Sequence, residues 1–216
     1  LYEDGLLALA YLLMAIEAIG IFPMQMQHMA FSMIEKATGG HRVILGQPAL
    51  VRVWEGLRRS AADEFITNSD RAYWGLSKQK AVEQIVWTQA LLAEKAEALQ
   101  CHTGGTSYDG DSFYERFDLD TMFARAEQHC LPRPLVKVLG NYWRCPRIVK
   151  YGEQVAEEPL CATVGLPAGS TFSDIFVRVY TLTPYDNFLA RWPRISFSNF
   201  VDDSQLLAFG SKEHVT

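Results

Sequence analysis

The sequence lacks the cysteine pairs and glycine-rich fingerprints that identify several common kinds of site. Its four cysteines are far apart and form no C-x-x-C pair, which argues against a zinc ribbon and favours reduced thiols in an intracellular protein. Neither G-x-x-x-x-G-K nor G-x-G-x-x-G occurs, so the glycine-bearing turn expected at 102–106 is not assigned as a phosphate loop. Any chemistry must therefore come from other side chains, above all carboxylates.

A leader sequence and a long apolar run are also missing. The chain starts Leu-Tyr-Glu-Asp-Gly, with no methionine and no basic stretch. Its most apolar run, residues 6–16, is too short to cross a bilayer and is followed by Glu17. We therefore expect no membrane association, and we expect the chain to be a fragment of a larger protein.

Positive charge is in short supply as well. The 216 residues carry a formal net charge of −5, whereas nucleic-acid binders are usually basic. One segment departs from this balance, because the stretch from Arg133 to Lys150 contains no acid. Its basic residues are Arg133, Lys137, Arg144, Arg147 and Lys150. A solvated face and a nucleic-acid backbone contact both remain open for this segment.

Two apolar runs near the C-terminal end enclose a pair of adjacent carboxylates. Residues 195–201 and 206–209 read as strands, and Asp202, Asp203 and Ser204 supply turn chemistry between them. The pattern predicts a β-hairpin with both acids at its tip. Adjacent ionised acids repel each other, and a bound cation would relieve that repulsion. On its own, such a tip is more often a solvated turn.

A second hairpin and two further motifs precede this tip. Residues 30–34 and 42–45 read as strands joined by a Thr-Gly-Gly turn, with Lys36 and Arg42 near the turn. Residues 107–117 read as a strand that carries Asp109 and runs into a helix start. A Gly-Leu-Pro-Ala-Gly turn at 165–169 leads into a helix predicted over 174–182, which Pro184 should end.

Periodicity predicts several other helices. The apolar stretch 6–21 predicts a buried helix. Residues 50–59 predict an amphipathic helix whose apolar face is Leu50, Val53, Trp54 and Leu57. Further helices are expected over 77–100, after the N-cap residue Asp118, and around 135–142.

In this order, the motifs resemble those of the reverse transcriptase family, over about Pro23 to Phe209. Phe200-Val-Asp-Asp203 resembles the family's aromatic-x-Asp-Asp motif, with Phe in place of the usual Tyr. Asp109-Gly-Asp-Ser-Phe-Tyr114 resembles the strand motif in which an aromatic residue follows an Asp by five positions. The resemblance implies that Asp109, Asp202 and Asp203 are catalytic ligands of Mg²⁺ or Mn²⁺. Asp111 remains a rival to Asp109 for that role.

The same resemblance implies a set of nucleotide-binding residues. Tyr114 would be the gate that excludes a ribose 2′-OH. Pro167, Ala168 and Gly169 lie in the turn that usually reads Pro-Gln-Gly, so Ala168 replaces a side chain that helps to position template and nucleotide. Lys36 and Arg42 would grip the incoming triphosphate.

The implied fold is α+β, the fingers and palm of a right-hand polymerase. Residues 1–105 would be fingers-like, and residues 106–216 would form an antiparallel palm sheet backed by helices, with the thumb absent. The implied function is RNA-templated DNA synthesis, in which dNTPs are added to a DNA primer on an RNA template. A retroelement or group II intron origin is expected.

Three alternatives stay open. An RNA-templated RNA polymerase fits less well, because it normally has a small residue at the position of Phe200 and no bulky gate like Tyr114. A decayed relative that only binds nucleic acid is favoured by Ala168 and by the acidic balance. A plain α+β domain with chance motifs would show no stabilisation by Mg²⁺ or Mn²⁺.

Overall fold

The computed structural model describes residues 2–37, 39–75, 82–110 and 112–211. The chain forms two compact units that interleave along the sequence. Unit 1 comprises Leu1–Phe65 and Tyr114–Tyr180, and unit 2 comprises Ile66–Phe113 and Thr181–Thr216. These units are defined by contacts, and the functional division into 1–105 and 106–216 stays a prediction.

Helices account for much of the described chain. In order they are α1 Tyr2–Ile19, α2 Ala49–Arg58, α3 Asp63–Asn68, α4 Val82–Ala98, α5 Leu119–Gln128, α6 Arg133–Trp143 and α7 Ser173–Arg191. The predicted N-cap is confirmed, since the Asp118 carboxylate accepts a hydrogen bond of 2.7 Å from the Thr121 amide at the start of α5. That bond also lowers the pKa of Asp118. In the part of the chain that the structure describes, no helix is both long and apolar enough to cross a bilayer.

Strands form one sheet in each unit. They are β1 Met29–Glu35, β2 His41–Gly46, β3 His102–Asp109, β4 Arg147–Tyr151, β5 Gln154–Val155, β6 Ile195–Phe200 and β7 Asp203–Gly210. Unit 1 holds the order β2-β1-β4-β5, in which β1 and β4 are parallel. Unit 2 holds β3-β7-β6, with antiparallel pairs throughout. Helices and sheets together confirm the α+β class.

Aromatic side chains dominate the core of each unit. In unit 1 they are Phe22, Trp54, Phe123, Tyr142, Trp143, Phe172 and Phe176, all nearly or fully buried. In unit 2 the aromatic rings that contact one another are those of Tyr73, Trp74, Tyr185, Phe188 and Phe197. Such rings bury a large apolar area each and prefer tilted or edge-on contacts, which both clusters show.

The predicted burial of the first helix is wrong. Of its described residues, only Leu13 and Ile16 are buried, while Tyr11 is 62 % and Met14 is 61 % exposed. The reason is that α1 packs against α6 along a single face. It ends at Gly20, whose positive φ of 85° suits a helix C-terminus and whose amide donates to the Ile16 carbonyl at 2.6 Å.

The predicted buried face of the helix at 50–59 is wrong as well. The buried residues of α2 are Val51, Trp54 and Glu55, whereas Val53 and Leu57 are largely exposed. The helix is turned so that a carboxylate faces inward. Burial of a charged group is tolerated where hydrogen bonds compensate it, and Glu55 has such partners, described below.

The expected turn at 102–106 is in fact most of strand β3, which pairs along β7 from His102 to Asp109. Its glycines permit this pairing. A Cβ at Gly105 would lie 3.3 Å from the Leu207 side chain and 3.4 Å from the Leu206 carbonyl oxygen. Glycine inside a strand often marks such a close approach of backbone.

Pro184 was expected to end a helix at about residue 182, but α7 continues through it to Arg191. A proline inside a helix leaves the carbonyl four residues earlier without its usual donor. Here that carbonyl belongs to Tyr180, and the Arg125 guanidinium donates a hydrogen bond to it. The arginine therefore supplies the hydrogen-bond donor that the proline lacks.

Candidate functional site

The C-terminal hairpin brings the predicted catalytic acids to one end of the unit 2 sheet. Asp109 is the last residue of β3 and pairs in register with Asp203, the first residue of the central strand β7. The Gly110 amide donates a 3.1 Å hydrogen bond to the carbonyl of Asp202. Directly opposed residues of an antiparallel pair have Cβ atoms about 4.5–5.5 Å apart, on one face of the sheet. Asp109 and Asp203 are therefore neighbours, and Asp202 is adjacent to both.

The hairpin turn itself is strained. Phe200 pairs with Asp203, so the turn consists of Val201 and Asp202, and Asp203 belongs to the strand rather than to the predicted turn. Val201 has a φ of 58°. Positive φ is a true outlier for a β-branched residue, and such a conformation costs about 1–3 kcal/mol. Strain of this kind persists where the surrounding structure over-determines it, most often at functional sites.

Asn199 holds this strained tip from the buried side. It is only 2 % exposed, and its side-chain amide donates to the Val201 carbonyl at 3.2 Å and to Ser204 Oγ at 2.8 Å. The Asn199 Oδ1 atom is buried and has no hydrogen-bond partner among the described residues. Sequence reasoning missed this residue, because it read Asn199 only as a polar position within a strand.

The carboxylates at this end are accessible and make few contacts. Asp109 and Asp203 are exposed and Asp202 is half-buried. Among the described residues, none forms an ion pair or a side-chain hydrogen bond with these three carboxylates. Oxygen ligands of this type suit Mg²⁺ and Mn²⁺, so the chemistry of the donor set fits these ions.

The three carboxylate side chains do not form a metal-binding group in this structure. Within 2–37, 39–75, 82–110 and 112–211, no three histidine, cysteine or carboxylate side chains are gathered closely enough to hold one ion. Asp111, the rival ligand, lies outside the described residues. The backbone register thus brings the acids to one place, and the assignment of a metal to them stays a prediction.

A partly exposed network of hydrogen bonds supports this sheet. The Arg71 guanidinium donates to both oxygens of the Asp186 carboxylate, the shortest distance being 2.9 Å, and the Tyr73 hydroxyl donates to the same carboxylate at 2.8 Å. Burial, together with this hydrogen bond, raises the pKa of Tyr73. The Tyr73 carbonyl in turn accepts from the Asn199 amide at 2.8 Å. The network therefore connects the helix α7 to the strand that ends at the hairpin tip.

In unit 1, the Gly-Leu-Pro-Ala-Gly loop is fixed at its first residue. Gly165 has a φ of 95°, and its amide donates to the Phe117 carbonyl at 2.8 Å. The next amide, of Leu166, donates to the Tyr114 carbonyl at 2.6 Å. Arg147 donates to the Gly165 carbonyl, also at 2.6 Å, and burial lowers the pKa of this arginine. The loop and the predicted gate residue Tyr114 are thus directly joined.

The last residues of this loop are fixed as well. Glu55, fully buried, accepts hydrogen bonds from Ser170 Oγ at 2.7 Å and from the Thr171 amide at 2.9 Å. Gly169 has a φ of 104°, and a Cβ there would lie 3.9 Å from the Leu45 Cβ of β2. Pro167 is buried, Ala168 is half-buried and Gly169 is exposed. The loop therefore presents Ala168 and Gly169 beside the N-terminal hairpin.

That hairpin carries the two predicted phosphate-binding cations. β1 and β2 pair as expected, with Glu35 opposite His41 and Ile34 opposite Arg42. Lys36 and Arg42 are both exposed, and no described residue forms an ion pair with either. Their charges are free to meet an anion. Thr38, part of the predicted turn, lies outside the described residues.

In the basic segment 133–150, some positively charged side chains bind other parts of the structure and others are exposed to solvent. Arg147 donates hydrogen bonds to carbonyls of the Gly165–Gly169 loop and of the residue before it, and Arg144 forms an ion pair with Asp120 at 2.5 Å. Arg133 and Lys137 are exposed on one face of α6 and form no ion pair with a described residue. They line a cavity of about 550 Å³ in unit 1. Only part of the segment is therefore available for a nucleic-acid backbone.

Comparison with solved structures supports the fold. No protein-family model and no curated protein matches the chain. An apo telomerase from Candida tropicalis truncated from its C-terminal domain is similar, with a TM-score of 0.58 and 15 % identity over 88 % of this chain and 45 % of that chain.

Two further telomerase structures, each in complex with a TWJ fragment of telomeric RNA, agree. The one from Candida tropicalis has a TM-score of 0.62 and 11 % identity over 85 % of this chain and 36 % of that chain. The one from Candida albicans has a TM-score of 0.55 and 12 % identity over 87 % of this chain and 39 % of that chain. The chain thus has a reverse-transcriptase-like fold and spans less than half the length of each of these structures. This likeness does not bear on the predicted retroelement or group II intron origin.

Proposed function

We propose that the chain is the nucleotide-adding part of an RNA-templated DNA polymerase. The observation that carries the proposal is the gathering of Asp109, Asp202 and Asp203 at one end of a three-stranded antiparallel sheet. The fold supports this interpretation, because solved structures similar to the chain include telomerases, two of which are in complex with a fragment of telomeric RNA. An RNA template, a DNA primer and dNTPs are the partners that this function requires.

The carboxylates would hold Mg²⁺ or Mn²⁺. When bound, the ions would lower the pKa of the primer 3′-OH and neutralise charge on the triphosphate. Asp109 and Asp202 would be the principal ligands, with Asp203 beside them. Asp109 and Asp203 are exposed and Asp202 is half-buried, and none of the three carboxylates has a competing partner among the described residues, so their oxygens are available for this role.

The unit 1 residues would bind the nucleotide and the nucleic acid. Lys36 and Arg42 would contact the triphosphate, the first as a point charge and the second as a fork of donors. Tyr114 would exclude a ribose 2′-OH, and Ala168 and Gly169 would contact the base pair being formed. Outside the loop, Arg133 and Lys137 of the basic segment would contact the phosphate backbone, which makes binding strongly dependent on salt.

A second candidate function is nucleic-acid binding without catalysis. Two observations favour it. Ala168 replaces a side chain that the resemblance associates with nucleotide positioning. Moreover, the chain has an acidic balance, with a formal net charge of −5. A chain of this kind would keep its grip on template and primer but would not extend the primer.

Primer extension on an RNA template separates the two candidates. The chain is assayed with dNTPs and Mg²⁺ or Mn²⁺, next to Asp202→Asn, Asp203→Asn and the control Asp120→Asn, an exposed acid on α5. We expect extension by the wild type and the control. Metal-dependent charge stabilisation is worth several kcal/mol, so each of the other variants should lose about a hundredfold or more. A wild type that binds template and primer in a salt-dependent way but never extends would support the second candidate.

A further inference from the structure

Glu55 is an unusual residue for the core of unit 1. It is 0 % exposed and lies next to the buried Trp54 on α2. An ionised carboxylate is costly to bury unless hydrogen bonds replace its hydration. Both of its oxygens are used here. Oε1 accepts from Gln47 Nε2 at 2.9 Å and from Ser170 Oγ at 2.7 Å, and Oε2 accepts from the Thr171 amide at 2.9 Å.

Two of the three donors to Glu55 follow the Gly165–Gly169 loop directly. Ser170 is itself buried, and its amide donates to the Pro167 carbonyl at 3.0 Å, while Ser173 Oγ donates to that carbonyl at 2.6 Å. Glu55 therefore fixes the chain immediately after Gly169. Because Arg147 and the Tyr114 carbonyl fix the chain at Gly165 and Leu166, both ends of the loop are tied to the scaffold.

We propose that Glu55 is a positioning residue that sets the conformation of Ala168 and Gly169 for nucleotide binding. This proposal rests on the proposed polymerase function. The side chain itself is buried and touches neither nucleotide nor template. Its contribution comes from the rigid placement of the loop, and small misplacements of a binding surface are costly to a reaction. Glutamate is required rather than glutamine, because three hydrogen-bond donors point at the two carboxylate oxygens. A glutamine would replace one of these oxygens with an NH₂ group, which would place one donor against another.

The test compares Glu55→Gln and Ser170→Ala with Gln47→Ala. All three variants remove hydrogen bonds of the same carboxylate, but Gln47 lies outside the loop and serves as the matched control. We expect the KM for dNTP to rise roughly tenfold or more in the first two variants. Affinity for template and primer should stay unchanged, and Gln47→Ala should keep a wild-type KM.

Hydrogen exchange supplies a readout that does not depend on activity. In Glu55→Gln and Ser170→Ala, amides of residues 165–171 should exchange faster while the other core amides stay protected. Faster exchange throughout unit 1, or an unchanged KM in an extending enzyme, would overturn the proposal. If Glu55→Gln fails to fold, Ser170→Ala decides by the same criteria. If the wild type does not extend a primer, the polymerase function fails and the exchange pattern alone decides whether Glu55 holds the loop.

Discussion

Each unit places its candidate functional residues on a loop that a buried polar side chain supports, but the two supports differ. In unit 1, Glu55 has hydrogen-bond partners on both oxygens, and the positive φ values of the loop fall on glycines. In unit 2, Asn199 leaves Oδ1 without a partner among the described residues, and the positive φ falls on Val201. The loop of unit 1 is thus relaxed, whereas the hairpin tip of unit 2 stores unfavourable energy.

This difference indicates which candidate site lowers the stability of the folded protein. Unfavourable energy accumulates at the carboxylate end, where Val201 is strained and where Asp109 lies opposite Asp203 with no partner for either carboxylate among the described residues. The loop expected to meet the nucleotide is instead held in one conformation by its scaffold. Substitutions should therefore have opposite effects on stability according to whether they remove a support or relieve the strain.

The largest effect on stability is expected at Asn199, which supports the hairpin tip. Asn199→Asp would place a charge in a buried position beside three other acids and would remove the amide donors to the tip. We expect a loss of about 3 kcal/mol or more in the free energy of unfolding, measured by urea denaturation. The control is Asn141→Asp, because Asn141 is exposed although its amide also donates to a carbonyl, that of Gly20. A similar loss in both variants would contradict the role assigned to Asn199.

A smaller effect is expected at the ion pairs of the two units. Asp186→Asn in unit 2 replaces a carboxylate that accepts from Arg71 through two oxygens and from Tyr73, so a cost of about 1–2 kcal/mol in the free energy of unfolding is expected. Asp174→Asn in unit 1 removes a single pair with Arg59, in which the acid is 52 % exposed. Such exposed pairs are worth about 0–1 kcal/mol. Equal costs in denaturant unfolding would refute this ranking.

A small effect on stability, of opposite sign, is expected at the turn. Val201→Gly would relieve a strain of about 1–3 kcal/mol but would add the backbone entropy of glycine, so a net gain of about 1 kcal/mol is expected. In this size range that corresponds to a rise in Tm of roughly 2–4 °C. Val43 of β2 provides the matched control, since its φ is ordinary and Val43→Gly should lower Tm. A fall in Tm for both variants would show that Val201 is not strained.

Local patterns predicted the parts of the fold that depend on neighbouring residues. Apolar runs, turn residues and the N-cap Asp118 indicated both hairpins and most helices. The carboxylate end could be anticipated because Asp109 and the Asp202-Asp203 pair each mark the end of a strand. What the sequence alone could not supply was the register that places Asp109 opposite Asp203.

The residues that sequence reasoning misjudged depend on distant partners. Glu55 can be buried because Ser170, which is 115 positions away in the sequence, donates a hydrogen bond to it. The helix continues through Pro184 because Arg125 donates a hydrogen bond to a carbonyl 55 positions along the chain. No local pattern reports such pairs. The spacing of Val51 and Glu55 at i and i+4 was the one available sign that the inner face of α2 includes the glutamate.

The most direct test of the central claim is Mn²⁺ binding at the carboxylate end, followed as a shift in Tm for the wild type, Asp109→Asn and Asp203→Asn. At about a hundred times the Kd, a ligand that binds only the folded state adds about 2.7 kcal/mol, or roughly 5–10 °C for a chain of this size. We predict that shift in the wild type and its loss in both variants. A wild type that does not respond to Mn²⁺, or variants that respond as strongly as the wild type, would contradict the claim that these acids form a metal site.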